Sequence, residues 1–200
     1  PFLEKSTFPN VDEKFKFSEH QAKSLGNGGL LIDSIFNQLE RELNSPLGWV
    51  ANDIFPATYI LDNKSNRQKG VIFATRMLEE FFSTKLSKYG KNDNENPQLK
   101  KIREELIVFS AEKWGILFLP SPEAKYREAM KLKEIYKKDL SEKKAIYNLK
   151  TNDLYDLLTF ITNEKVLDQA IGEVMDDTVS FSKIDDKIYY VQGVVLVLRD

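Results

Sequence analysis

Cysteine is absent from the 200 residues, which removes disulfides, zinc–thiolate sites and thiol nucleophiles at once. It does not fix the compartment, because a cysteine-free chain is stable in oxidising and reducing surroundings alike. Histidine occurs once, at His20, so histidine-cluster metal sites and histidine-paired triads have at most one imidazole to draw on. His20 lies in a polar stretch and reads as a surface residue. A net charge of −2 provides no field for gathering nucleic acid. No apolar run approaches the ~20 residues of a membrane span. Internal repeats and low-complexity segments are also missing. The chain opens on Pro1-Phe2-Leu3 without a methionine and closes on the apolar run Gly193 to Asp200, so further sequence is expected beyond one or both ends.

What is present is an ordinary globular composition, 42% hydrophobic and 30% charged, at a length that suits one domain. Residues 1–28 are mixed, with Pro9 and the cluster Gly26-Asn27-Gly28-Gly29, and are expected to be a mostly irregular extension. From Leu30 the positions Leu31, Ile35, Leu39 and Leu43 follow helical spacing until Asn44-Ser45-Pro46 stops them. Gly70 to Tyr89 carries two apolar stripes, Val71, Ala74, Leu78, Phe82 and Phe73, Met77, Phe81. A helix apolar around most of its girth is a central one. Asn96-Pro97 and Ser121-Pro122 each read as an N-cap followed by proline at the first helical position. Between those helices, Trp114 to Pro120 reads as an extended strap over the core. Helical stretches follow from about Glu142 to Ile161 and from Val166 to Val174. The last segment, from Lys187, has β-branched and aromatic residues that favour a strand, but no partner strand. The pattern predicts a single all-α domain of about six helices over residues 29–200.

The segment Gly48 to Asn63 concentrates Trp49, Asn52, Asp53, Pro56, Asp62 and Asn63 between helical stretches. Long connections with turn chemistry and aromatic anchors are usually folded and often functional. Trp49 and Trp114 read as anchors before they read as ligand platforms. Arg67 and Arg76, nine residues apart, point about 180° apart on one helix and should serve different neighbours. Arg76 sits among Phe73, Met77 and Phe81 and should need an acidic partner, which Asp53 or Asp62 could supply. An ion pair pinning the loop to the central helix is preferred over substrate binding.

Other patterns carry less. The pairs Glu79-Glu80, Glu104-Glu105, Asp176-Asp177 and Asp185-Asp186 read as solvated helix faces, since neighbours on a helix diverge by about 100°. A hydrolase would need facing acids roughly 5–10 Å apart, one from Asp53 or Asp62 and one from Glu79 or Glu80. Asp62-Asn63-Lys64 fails as a calcium loop: Lys64 takes a ligand position and Phe73 the bidentate position. The glycines before Leu30 fit no phosphate-binding motif. The lysines from Lys131 to Lys144 are diluted by Glu134, Asp139 and Glu142 and read as a solvated face. No metal and no cofactor is expected.

The run GWVANDIFPATYILDN, with Gly70-Val71 and Ala74-Thr75-Arg76, resembles the signature of a bacterial family catalogued as a domain of unknown function. The likeness continues through WGILFLPSPEAKYR, Trp114 to Arg127, then Thr151-Asn152-Asp153-Leu154, then Tyr189-Tyr190 with Gly193. Lys64, Ser65 and the Leu117-Phe118 insertion depart from it. The resemblance implies an inner-membrane protein of Gram-negative bacteria, with an N-terminal anchor ahead of this sequence and a helical periplasmic domain. It also implies a helix, against local propensity, for Lys187 to Arg199. It supplies no catalytic residues.

The leading expectation is therefore a non-enzymatic envelope protein that presents a helical surface to protein partners, its oligomeric state unspecified. A cell-wall glycan or peptide hydrolase using loop carboxylates is the second. A small-ligand module with its pocket under the loop, among Trp49, Asn52, Asp53 and Arg76, is the third.

Overall fold

The computed structural model describes residues 19–51, 58–88, 94–113, 120–162, 166–175 and 183–200, with backbone alone for 19–27, 58–60 and 173–175. Among the described residues there is no strand. The helices are α1 (Glu19–Leu43), α2 (Thr58–Phe81), α3 (Pro97–Lys101), α4 (Pro122–Ser141), α5 (Thr151–Thr162), α6 (Leu167–Met175) and α7 (Ile184–Arg199). Six of them have nine residues or more, as the apolar periodicity predicts. α2 and α3 each run on into a single π turn, Phe82–Leu86 and Ile102–Leu106.

Two starts are set by the residues that signal them. Asn96 Oδ1 accepts from the backbone N–H of Gln98 (3.0 Å) and Leu99 (3.2 Å), and Ser121 Oγ accepts from Ala124 N (3.2 Å). Both satisfy amides that a helix start leaves without partners.

Elsewhere the boundaries differ from expectation. α1 begins at Glu19 and continues through the glycine cluster, so part of the expected irregular extension is helix; residues 1–18 lie outside the described residues. Tertiary packing overrides the weak propensity of glycine here. A Cβ on Gly28 would lie 2.4 Å from Cγ of Tyr147, so the ring needs the missing side chain. α2 begins by Thr58, which places Asp62 and Asn63 on the helix rather than in a loop. The stretch from Glu142 is not helical until Thr151. α4 ends in a Schellman motif, with Lys144 N donating to Asp139 O (2.8 Å) and Lys143 N to Leu140 O (3.1 Å). Lys143, at φ 58°, takes the left-handed position usual for glycine, a signal the sequence does not carry. The strap at 114–119 lies outside the described residues.

α7 is a helix, as the resemblance implies and local β-propensity does not. It packs along α2, with Phe73 and Tyr190 rings 5.9 Å apart. α2 is central: Val71, Ile72, Ala74, Phe82 and Leu86 are buried, the helix packs on α1 and α7, and Phe82 of its π turn meets Tyr136 of α4 edge-on at 5.8 Å. The expectation of an almost wholly apolar rod needs correction, however. α2 and its π turn also bury Lys64, Arg67, Gln68, Thr75, Glu79 and Ser83. Thr75 Oγ1 donates to Ile35 O (3.4 Å) and Ser83 Oγ to Glu80 O (3.3 Å), so these two hydroxyls are satisfied by backbone carbonyls.

Candidate functional site

The start of the long connection is clamped by α2. Gln68 Oε1 accepts from Val50 N (2.9 Å) and Ala51 N (3.2 Å), while its Nε2 donates to Gly48 O (2.9 Å) and Glu42 Oε2 (3.0 Å). Arg67 Nε donates to the other oxygen of Glu42 (2.8 Å), with both side chains almost wholly buried. Lys64, also buried, donates to Ser45 Oγ (2.6 Å). An ion pair does brace this region, but through Arg67 and Glu42.

Arg76 reaches a different neighbour, as its half-turn offset requires. Its Nε donates to Ile107 O and its Nη2 to Phe109 O (2.8 Å). The expected acidic partner is replaced by carbonyls that the end of the second π turn leaves open. Tyr126 donates to the same Phe109 O (2.7 Å), and Trp49 Nε1 to Ala111 O (3.0 Å). Burial pushes the Tyr126 hydroxyl up to about 12, against the pull of Arg76. Trp49 also meets Tyr126 edge-on at 4.9 Å. The indole and the guanidinium thus act as structural braces onto the residues that follow the second π turn.

Asn52 and Asp53 lie outside the described residues, and Asn63 is half-buried on α2. Asp62 faces Asp186 of α7. Asn66 Nδ2 spans them, 3.1 Å from Asp62 Oδ1 and 2.7 Å from Asp186 Oδ1. Burial, then a hydrogen bond and charge from Asp62, then Asp185, hold the Asp186 carboxyl above its usual range. The two acids share a hydrogen bond across a helix crossing, which differs from the separated carboxylates a hydrolase cleft needs.

Glu79 is fully buried, against the expectation of a solvated pair, and neither of its oxygens has a hydrogen-bond partner. Burial drives its carboxyl well above the usual range; Arg103 opposes the shift and Glu95 and Glu80 add to it. Arg103 is held by Glu95 (2.8 Å) and Glu104 (2.9 Å). The lysine stripe on α4 likewise differs from expectation. Lys133 is buried, 2.9 Å from Asp33, and Lys137 meets the same carboxylate at 2.6 Å. Burial lowers the Lys133 pKa, but Asp33 and Glu134 more than offset it, so the ammonium is held above its usual range. These lysines tie α4 to α1. Among the described residues no group of three or more His, Asp or Glu could hold a metal ion, and no helix is long and apolar enough to cross a membrane.

One helix is left over by this packing. α5 has no buried residue although half of its sequence is apolar. Leu157, Phe160 and Ile161 turn inward and are half-buried, with Phe160 5.5 Å from Phe81. Leu154, Tyr155 and Leu158 form a neighbouring row that faces outward, and Tyr155 is 72% exposed. Leu149, just before α5, is exposed too. The chain belongs to the DUF2333 family. The family's model, described as an uncharacterized protein conserved in bacteria, matches residues 3–167. No curated protein and no solved structure matches the chain.

The DUF2333 match spans the clamp, the braces and all of α5, while most of α6 and α7 lie beyond it. The outer row of α5 was readable in part. With Tyr155 and Phe160, the positions Leu154, Leu157, Leu158 and Ile161 spread over more of the helix than one buried stripe needs, on a helix with only two charges, Asp153 and Asp156. Glu79 gave no such signal, since it stands beside a second glutamate on a helix expected to be apolar.

Proposed function

We propose that this domain is a non-enzymatic interaction module that presents the outer face of α5 to a protein partner in the bacterial cell envelope. The observation that carries this reading is the row Leu154, Tyr155 and Leu158. It is exposed on a helix whose inner row, Leu157, Phe160 and Ile161, packs against the body. Exposed apolar side chains scattered singly are ordinary, whereas neighbouring ones on one face mark interaction sites. Tyrosine is also the kind of anchor that interfaces favour. Thr151, Asn152, Thr159 and Thr162 flank the row on the helix, and the exposed Asp156 follows Tyr155. Placement on the periplasmic side rests on the family resemblance of the signature segments, and a chain without cysteine is compatible with it.

A photo-crosslinking residue introduced at Tyr155 of the full-length protein, expressed in its own host, tests the reading. Discrete crosslinked protein species are expected there and not from the same residue at Lys138, which is exposed on α4. Identical products at both positions, or none at Tyr155, contradict it.

A further inference from the structure

Beneath α5 lies a partly open cavity of about 150 Å³, bounded by four helices. Leu31, Ser34 and Ile35 come from α1, Leu78 and Phe81 from α2, Leu157 and Ile161 from α5, and Val197 and Leu198 from α7. We infer that this cavity is a binding site for a small uncharged apolar molecule, an aromatic ring or short alkyl group with at most one hydrogen-bonding atom.

Three observations lead there. Volume is the first: about 150 Å³ lined largely by leucine, isoleucine and phenylalanine is enough for a molecule such as benzene. The second is how its walls are held. α7 is tied to α1 at one end, where Asn37 and Gln38 both donate to Asp200 Oδ2. α5 is tied to the body by the Phe81–Phe160 contact and, just ahead of it, by Asn148 N donating to Leu86 O (2.8 Å). These struts fix the walls without help from anything inside, where dense packing would otherwise be the rule. Charge is the third. Asp200 is the one ionisable group on the lining; its Oδ2 takes the two amides and its Oδ1 accepts from Arg199 (3.1 Å). No unspent charge faces the space, so a charged ligand would lose its hydration for nothing. Ser34 leaves one hydroxyl at the edge for a single polar atom.

The site stands apart from the outer face of α5, and its test is independent of any partner. Benzene is titrated into the isotope-labelled protein while methyl resonances are followed by NMR. Saturable shifts are expected at Leu31, Ile35, Leu157, Ile161, Val197 and Leu198, and the melting temperature should rise by about 3–5 °C at ten times Kd. Ser34→Leu and Ile161→Phe, which fill the space from opposite walls, should abolish both effects while remaining folded by circular dichroism. Non-saturating shifts spread over the whole core, or benzene binding unchanged in two folded filling variants, would overturn the assignment. Should one variant fail to fold, the other decides alone.

Discussion

Gly70 and Gly193 face each other across the α2–α7 crossing with no side chain between the backbones. A Cβ on Gly70 would lie 1.9 Å from Tyr190 O, and one on Gly193 would lie 2.1 Å from Arg67 O. Neither obstacle is a flexible side chain, so neither can step aside. Gly193 is therefore the residue that lets the last segment dock as a helix, against its local β-propensity.

Gly193→Ala is expected to destabilise the domain by at least about 1–3 kcal/mol through overpacking. Gly172→Ala on α6, where a Cβ would meet nothing within 4 Å, should instead stabilise it by about 0.5–1 kcal/mol. Urea unfolding of the two variants beside the wild type checks the opposite signs.

Glu79 links stability to pH. Its folded carboxyl titrates well above the unfolded value, mainly through burial. The native state therefore keeps a proton that the unfolded state releases. The associated stability is fully present below the unfolded pKa and is lost as pH rises through the folded one. Glu79→Gln removes that dependence. The variant should gain on the wild type as pH climbs from 4 towards 8, reaching an advantage of about 1–3 kcal/mol. Parallel stability curves for the two proteins across that range would count against the assignment.

The buried pair of Arg67 and Glu42 is expected to be costly to break. Glu42→Ala leaves a guanidinium and the Gln68 amide without this carboxylate and should lower stability by about 3–5 kcal/mol. Replacing both charges together, as Glu42→Leu with Arg67→Met, should cost distinctly less than the two single changes summed. A double-mutant cycle by chemical denaturation gives the coupling.

Lys143 offers a substitution of the opposite sign. At φ 58° a lysine carries the left-handed penalty that glycine escapes. Lys143→Gly should raise stability by about 0.5–1 kcal/mol, net of the extra freedom glycine has when unfolded. Thermal melts resolve a change of that size.

The all-helical architecture was legible because apolar spacing and two cap-plus-proline signals are local, and Asn96 and Ser121 act as those signals say. What stayed hidden depends on residues far apart in the chain. The glycines of α1 read as a breaker until Tyr147, more than a hundred positions on, is seen against Gly28. Arg67 and Arg76 were correctly divided between two neighbours by helical phase alone. Which neighbours was not readable, because carbonyls at 107 and 109 and a carboxylate at 42 leave no pattern near position 67 or 76. Lys133 and Glu79 look like any other charges on a helix, and only the packing of α1 over α4 and of α2 within the core buries them.

The central claim is that the fold does not use the outer row of α5. Chemical unfolding of the double variant Leu154→Ser with Leu158→Ser, set beside Leu157→Ser, tests it most directly. The outer double variant should remain within about 0.5 kcal/mol of wild type, while Leu157→Ser on the inner row should lose about 1–3 kcal/mol. A loss from the outer pair as large as that from Leu157 would mean that these side chains serve the domain's own core, and the proposed interaction face would not exist.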